Sequence, residues 1–237
     1  MHLILKPRPL SNLRPNPPQA LPRYPDRTTA TNGDQRPAQS SLGVINKGNH
    51  MRKLISHLIM TLDGVVVFDV VADTIMKLRD TEEVLRDFFP KVAQEDTMLL
   101  GRITYQEWAG YWPNSTVEPF ASHINSVPKY VVSKSLEAVP WGSNGNATLL
   151  RGNLAEAIAT LKQQPGNNIG IHGSPTLVES LLHAGLLDEL RLEIYPVVAG
   201  RGARLFNDNR SIKQLQLADS KITRNGVVIL TYQAGKH

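Results

Sequence analysis

Strand and helix patterns alternate along most of the chain, and this alternation constrains its fold more than any other feature. From Met51 onward, short apolar runs that predict buried strands are followed by amphipathic runs that predict helices. The predicted strands cover 53–62, 97–101, 129–133, 147–151, 168–172, 189–199, 213–222 and 226–233. The predicted helices cover 81–93, a segment from Thr104, 115–126, 154–164 and 176–184. The alternation predicts an α/β sandwich around a largely parallel sheet that antiparallel strands complete.

Three of the predicted helices carry a capping signature at their start, in which an Asp, Asn or Thr is followed three residues later by Glu. Such a pair satisfies backbone N–H groups that the first helical turn leaves without partners. The pairs are Asp80 with Glu83, Thr104 with Glu107, and Asn153 with Glu156. They predict where these helices begin, whatever binds nearby.

Residues 1–50 differ from the rest of the chain. They hold 8 of the 16 prolines and almost no apolar periodicity, which predicts disorder. A basic arm that binds a partner and an organelle-targeting peptide both agree with this composition. We prefer a third interpretation, because Met51 directly precedes the first strand and the codons for Lys47-Gly48 are purine-rich, as a bacterial ribosome-binding site is. The segment is then an over-extended start, or an arm of no catalytic consequence, and 51–237 is the working domain.

Charge and composition exclude several classes of function. The net charge is +5, but residues 1–50 hold seven basic and two acidic residues, so the rest of the chain is neutral. A neutral domain is poorly suited to a run of phosphates, and no nucleic-acid partner is predicted. The absence of cysteine excludes disulfides, thiolate nucleophiles and cysteine metal sites, and we predict no metal. No stretch approaches the roughly 20 apolar residues of a membrane span, so we expect a cytoplasmic protein without a membrane partner.

The segment TMLLGRITYQEW places a Gly-Arg pair where a predicted strand passes into a predicted helix. In α/β folds, ligands bind at the carboxyl ends of strands. Gly101 lets the backbone approach a ligand, Arg102 offers a planar fork for a phosphate, and the helix from Thr104 offers free N–H groups. An anion site is predicted here. A helix cap at Thr104 and a surface charge at Arg102 explain the same residues.

The segment HGSPT (172–176) follows another predicted strand. Gly173 frees the backbone, Ser174 is a natural N-cap, and Pro175 occupies the first helical position, where its missing N–H costs nothing. A Gly-containing turn before a helix is a good seat for a pyrophosphate, although a bare helix start has the same pattern. At His172, we prefer a hydrogen-bonded structural histidine to a proton donor.

A third strand end carries Ser133-Lys134, directly after KYVV. A hydroxyl and an ammonium at this position suit a ribose phosphate, and they suit a solvated turn equally well. The order and spacing of the three junctions along the chain strengthen their interpretation as binding sites.

From Met51 to about Tyr232 the chain resembles the bacterial dihydrofolate reductase family proteins, which are related to the reductase domain of the riboflavin-biosynthesis deaminase/reductase. The matching stretches are MRKLISHLIMTLDG, LLGRITYQEWAGYWP, KYVVSKSLE and IHGSPTLVESLLHAGLLDELRLEIYPVVAGRGARLF. The resemblance implies a dihydrofolate-reductase-like three-layer sandwich, with a mixed, mostly parallel sheet flanked by helices.

The resemblance also implies NADPH as the cofactor. Arg102 and Lys134, with Ser133 beside them, would face the adenosine 2′-phosphate and select NADPH over NADH. The glycine-containing turn after the strand 168–172 would take the pyrophosphate. The implied cofactor-binding residues are Gly101, Arg102, Thr104, Ser133, Lys134, His172, Gly173, Ser174 and Thr176.

The TLDG turn (61–64) lies where nicotinamide and substrate should meet in that family. Asp63 is therefore the candidate catalytic residue, and its alternative interpretation is a turn-forming Asp-Gly pair. The segment 63–80 lacks the Trp that usually helps to place a pterin, although it offers Asp69 and Asp73. Folate reduction is therefore not expected.

The expected function is hydride transfer from NADPH to an unidentified small substrate, heterocyclic or carbonyl-bearing. A non-catalytic NADP-binding sensor is the alternative within the same fold, and a nucleic-acid binder acting through the basic arm is a third. The strand 189–199 and the loop 200–206 predict a homodimer, as in relatives.

Overall fold

The computed structural model of the chain describes residues 51–66, 75, 82–206 and 212–234. The predictions made for 1–50 and for Asp69, Asp73 and Asp80 lie outside the described residues. Within the described ranges, no helix is both long enough and apolar enough to cross a membrane.

Eight strands form one sheet in the order β4-β3-β2-β5-β1-β6-β8-β7. The first six strands in that order run parallel, and β8 and β7 follow as an antiparallel hairpin. The strands are β1 (Leu54–Thr61), β2 (Glu95–Gly101), β3 (Lys129–Val132), β4 (Ala147–Leu150), β5 (Asn168–His172), β6 (Glu189–Tyr195), β7 (Leu215–Ile222) and β8 (Val228–Ala234). The described helices are α1 (Glu82–Val92), α2 (Arg102–Tyr111), α3 (Phe120–Ser126), α4 (Leu154–Gln163) and α5 (Pro175–His183).

Helices cover both faces of the sheet, which confirms the predicted three-layer α/β sandwich. Successive residues of β2 point to opposite faces, because side chains alternate along a strand. Leu99 packs with residues of α4 and α5, whereas Met98 and Leu100 pack with residues of α2 and α3. A strand buried on both faces explains why TMLLG is apolar without alternation.

Several predicted boundaries shift in the structure. The second helix starts at Arg102 rather than Thr104, so Thr104 lies inside the helix, and the predicted Thr104–Glu107 cap is wrong. The helix predicted over 115–126 begins only at Phe120. The predicted cap at Asn153 is confirmed, since its side-chain oxygen accepts from the N–H groups of Ala155 and Glu156.

The strand predicted over 189–199 ends at Tyr195, because Pro196 has no N–H to donate to a neighbouring strand. β6 lies between β1 and β8 in the interior of the sheet. It therefore offers no open edge to a second chain, and a homodimer through this segment would have to use the loop after Tyr195.

Asn125, at the end of α3, fixes two tryptophans. Its amide donates to the Trp112 carbonyl at 2.8 Å, and the Trp141 indole N–H donates to its oxygen at 2.9 Å. Its own carbonyl accepts from Lys129, whose ammonium also lies over the buried Trp141 ring. The side chain of Asn125 thus joins α3 to Trp112 and Trp141, and its backbone carbonyl joins α3 to β3.

Replacing Asn125 by Ala should lower the free energy of unfolding by about 2–3 kcal/mol, because the buried Trp141 indole N–H loses its acceptor and the Trp112 carbonyl loses one of its two donors. The matched control is Ser126→Ala, which removes an exposed hydroxyl that bonds only to the His123 carbonyl. That change should cost within about 0.5 kcal/mol. Equal midpoints of the two variants in urea unfolding would contradict the role assigned to Asn125.

Candidate functional site

The first two predicted junctions meet in space. β2 and β5 are neighbours in the sheet, so the end of β2 at Gly101 lies against the start of α5. A Cβ added at Gly101 would overlap the Ser174 hydroxyl, which explains why glycine stands there. Residues 73 positions apart in sequence thereby form one backbone surface, which we term the junction surface (Gly101, Arg102, Gly173 and Ser174).

The junction surface exposes two helix starts without side-chain caps. α2 follows Gly101 and α5 follows Ser174, and neither of these N-cap residues makes a capping hydrogen bond through a side chain. The turn before α5 has positive φ at Gly173 (106°) and at Ser174 (59°), a strained conformation for a serine. Two uncapped helix starts, packed side by side, can hold an oxyanion with backbone N–H groups.

The two predicted cations flank the junction surface. Gly101 pairs with Val132 in the sheet, so the Ser133-Lys134 turn follows directly beside Arg102. Arg102 is exposed and donates to Gln106 at 3.0 Å, and Lys134 is also exposed. Both can therefore reach a phosphate at the rim of the junction surface.

The other predicted residues near the junction surface have different surroundings. The Ser133 hydroxyl accepts from the N–H groups of Ser135 and Leu136, so it organises its own turn. Thr104 is buried in α2, and Thr176 is exposed on the first turn of α5. The roles of these residues in cofactor binding stay predictions.

Asp63 lies in the turn after β1 and does not line the cavity between the sheet and helices α1, α2 and α3. Its carboxylate accepts from Thr61 at 2.6 Å and from the backbone N–H groups of Ala199 and Gly200. These hydrogen bonds lower its pKa to about 2. Arg204 donates to its backbone carbonyl. The geometry favours the turn-forming interpretation, and the catalytic role stays a prediction.

A cavity of about 410 Å³ lies between the sheet and helices α1, α2 and α3. Its helical side is aromatic, with Phe88, Trp108, Tyr111, Trp112 and Phe120. Its sheet side carries His57, His172, Arg191 and Glu193 beside Met98, and α1 adds the ion pair of Asp87 and Lys91. The cavity reaches Gly173, so it adjoins the junction surface.

Glu95, His57 and His172 form a cluster at the sheet side of the cavity, which we term the carboxylate–histidine cluster. Glu95 Oε2 hydrogen-bonds His172 Nε2 at 2.6 Å. Glu95 Oε1 lies 2.6 Å from His57 Nε2, a close contact that is not aligned as a hydrogen bond. The two imidazoles stack at 5.1 Å, since they face each other across β1 and β5. Glu95 is 2% exposed.

Two features of the backbone put Glu95 in this place. The register of β2 against β5 slips by one residue between Glu95 and Thr97, so Glu95 shares the cavity face with Met98. Gly170 of β5 lies directly beneath its carboxylate, where any Cβ would overlap Oε2. A bulge and a glycine therefore let a carboxylate pass over β5 to reach His172.

Burial and neighbouring charges shift the pKa values of His57 and Glu95 in the cluster. Burial lowers the pKa of His57 to about 4, against the opposing effect of Glu95. Burial raises the pKa of Glu95, but the imidazoles of His172 and His57 outweigh it and lower that pKa to about 2. Arg191 lies 3.5 Å from His57 Nε2 and adds to the lowering at His57. Glu95 is therefore anionic and His57 neutral at pH 7.

Sequence reasoning missed Glu95, His57 and Arg191 as site residues. His57 had a visible signal, since it is a polar residue inside the apolar strand LISHLIM. Gly170 had one too, because a glycine within a strand often marks the close approach of another group. Glu95 had none, because its position depends on a bulge that no local pattern encodes.

Comparisons with known proteins agree with this architecture. The family model of the RibD C-terminal domain matches residues 52–229. The uncharacterized protein YyaP of Bacillus subtilis (strain 168) is 29% identical over 185 residues, which cover 76% of this chain and 94% of YyaP. YwjB of the same organism, also uncharacterized, is 27% identical over 172 residues, which cover 72% of this chain and 91% of YwjB.

Two solved structures share the fold. A putative riboflavin biosynthesis protein from Shewanella sp. PV-4 has a TM-score of 0.64 at 22% identity, over 76% of this chain and 98% of that protein. A pyrimidine reductase-like protein from Corynebacterium diphtheriae has a TM-score of 0.57 at 14% identity, over 78% of this chain and 93% of that one. The predicted kinship with the riboflavin-biosynthesis reductase domain is confirmed.

Replacing Gly170 by Ala should displace the Glu95 carboxylate and lower the free energy of unfolding by about 1–3 kcal/mol. The matched control is Gly110→Ala on α2, where a new Cβ meets nothing within 4 Å. That change should be neutral or stabilise the fold by up to about 1 kcal/mol, as glycine is a poor helix former. If both variants unfold at the same urea concentration, the close contact assigned between Gly170 and the Glu95 carboxylate is wrong.

The stability of the fold should fall on acidification because of His57. Between about pH 6.5 and 4 the unfolded chain binds a proton at this residue that the folded chain does not. The free energy of unfolding should therefore decrease through that window as the pH falls, by up to about 1.4 kcal/mol per pH unit. His57→Gln should flatten the dependence seen in urea unfolding, whereas His183→Gln, outside the cavity, should retain it. An unchanged slope in His57→Gln would contradict a buried neutral imidazole.

Proposed function

The chain belongs to the RibD C-terminal domain family, and we propose that it is an NADPH-dependent reductase that delivers a hydride to a small heterocyclic or carbonyl-bearing substrate. The observation that carries the proposal is the meeting of two features at Gly173. This residue borders the cavity and belongs to the junction surface, so a dinucleotide seated on the junction surface has its reactive end beside the cavity.

The described residues suit the phosphates of NADPH. The starts of α2 and α5, which carry no side-chain caps, offer backbone N–H groups to the pyrophosphate. Arg102 and Lys134 add positive charge on the β3 side, where the 2′-phosphate that distinguishes NADPH from NADH would bind. Bound NADPH would supply the hydride.

The cavity suits a flat substrate. Its volume of about 410 Å³ holds one small ring system, and its helical side offers indole and phenyl faces against which a planar molecule can stack. The contacts of Trp112 with Trp108 and Phe120, at 5.8 and 6.4 Å between ring centres, hold that side in place. The chain thus positions the substrate and excludes water from the reacting atoms.

Three further expectations belong to this proposal. We propose that the protein works in the cytoplasm, on a small molecule rather than a nucleic acid or a membrane. We also propose a homodimer, formed through the loop after β6, where Val198 and Phe206 are exposed apolar residues.

A titration with NADPH and with NADH, followed by tryptophan fluorescence, tests the cofactor. Trp108 and Trp112 line the cavity and should report binding. We expect tight binding of NADPH and weak binding of NADH. Arg102→Ala should weaken NADPH binding about tenfold or more and leave NADH binding nearly unchanged, because an Arg–phosphate hydrogen bond is worth about 1.5–3 kcal/mol.

The control variant is Arg224→Ala. Arg224 is an exposed arginine that pairs with Glu83 beside the antiparallel edge of the sheet, far from β2 and β3 in strand order. It should bind both nucleotides like the parent protein. If NADPH and NADH bind equally to the parent protein, or if neither binds, the cofactor assignment is wrong.

A further inference from the structure

The carboxylate–histidine cluster is not explained by cofactor binding. Glu95 is almost fully buried, and burying a carboxylate costs stability unless partners compensate. Two irregularities of the fold accompany this carboxylate: the β2–β5 register is interrupted by a bulge, and position 170 is a glycine without a side chain. An apolar side chain at 95 would fill the same space without these demands, which points to a chemical role.

The hydrogen bonds of the cluster engage Nε2 of His172 and leave its other nitrogen, Nδ1, for a substrate in the cavity. The carboxylate of Glu95 only accepts, so the hydrogen bond of 2.6 Å fixes a proton on His172 Nε2. Nδ1 is then the nitrogen that gains or loses a proton, and no hydrogen bond to it is found from a described residue. The Trp108 ring stacks on this imidazole at 5.9 Å, within the wall of the cavity.

His172 is better placed than His57 to deliver a proton. His172 ends β5 and directly precedes Gly173, where the cavity meets the junction surface. His57 lies in the middle of β1, with the Arg191 guanidinium 3.5 Å from its ring nitrogen. That cation disfavours a second positive charge on His57.

We propose that His172 is the catalytic acid of the reductase, and that Glu95 and His57 are positioning residues that hold its ring and stabilise its charged form. This inference rests on the proposed function and names its substrate class: a compound whose reducible bond is a carbonyl or imine, which needs a proton on the heteroatom. The carbon receives a hydride from the reduced nicotinamide, and the electron pair of the double bond moves to oxygen or nitrogen. That atom takes the proton from His172 Nδ1, and the neutral imidazole regains a proton from solvent.

Charged and titratable groups surround His172 from every element that packs against the cavity. They are Glu95 on β2, His57 on β1, Asp87 and Lys91 on α1, Tyr111 on α2, His123 on α3, and Arg191 and Glu193 on β6.

A fluorescence titration without substrate or cofactor tests the acid directly. Because an imidazolium quenches an indole that it contacts, the emission of Trp108 should fall in one step on acidification, as His172 takes up a proton. The step should vanish in His172→Gln, and its midpoint should move to lower pH in Glu95→Gln, where the favourable anion is lost. His183→Gln, which alters a histidine outside the cavity, should keep the step. Its absence in the parent protein, or its persistence in His172→Gln, overturns the proposal.

Two planar tricyclic acceptors separate proton donation from hydride transfer. Phenanthrenequinone needs a proton on oxygen, whereas N-methylacridinium accepts a hydride at carbon without one. In the full-length protein with NADPH, His172→Gln should shift the ratio of kcat/KM for the two acceptors toward acridinium by about 100-fold or more. His172→Asn serves as a second variant if the first does not fold.

The outcomes distinguish this proposal from the proposed function. Equal losses with both acceptors make His172 a structural residue and overturn the acid, while the reductase stands. A parent protein that binds NADPH but reduces neither acceptor overturns the reductase and the acid together, in favour of a non-catalytic binder. A parent protein that does not bind NADPH overturns the cofactor assignment, whatever the fluorescence titration shows.

Discussion

The passage of the Glu95 carboxylate over Gly170 is the contact on which the rest of the cavity depends. It brings a negative charge from β2 across β5 to the imidazole of His172, in an environment that excludes water. Without the glycine the carboxylate has no path, and without the bulge in β2 it faces the opposite side of the sheet. The stacked histidines take their positions from this charge.

The aromatic side chains of the helices and the polar side chains of the sheet give the cavity two separate binding properties. The aromatic residues of α1, α2 and α3 bind by area and shape, and therefore tolerate a range of flat molecules. The sheet side carries fixed charges whose attraction strengthens as water is excluded. Asn125 supports the aromatic wall, because it fixes both Trp112 in the wall and the buried Trp141. In the proposed reaction, the sheet would select the reacting group and the helices would select the size of the substrate.

The sequence predicted the sheet, its helices and the two strand-end turns at Gly101 and Gly173, because these follow from local periodicity and from glycines at strand ends. It could not predict that Gly101 touches Ser174, or that Glu95 reaches His172, since both depend on which strands become neighbours. Boundaries failed where a competing rule applied, as at Pro196, which ends β6 early. The Asp-Gly pair at Asp63 is a different case, since the carboxylate accepts from the backbone N–H groups of 199–200, which the sequence did not predict, and its catalytic role stays a prediction.

The end of β5 joins the two halves of the proposed reaction. Three consecutive residues serve it: His172 and Gly173 line the cavity, and Ser174 is the N-cap of the helix proposed to receive the phosphates. In the proposed reaction, the end of a strand held within the sheet would keep the proton donor and the cofactor at a fixed spacing. Because Gly173 and Ser174 both have positive φ, the chain passes from β5 into α5 within one tight turn. The strain stored there is consistent with a site in which cofactor and acid must approach the same substrate atom pair from adjoining sides.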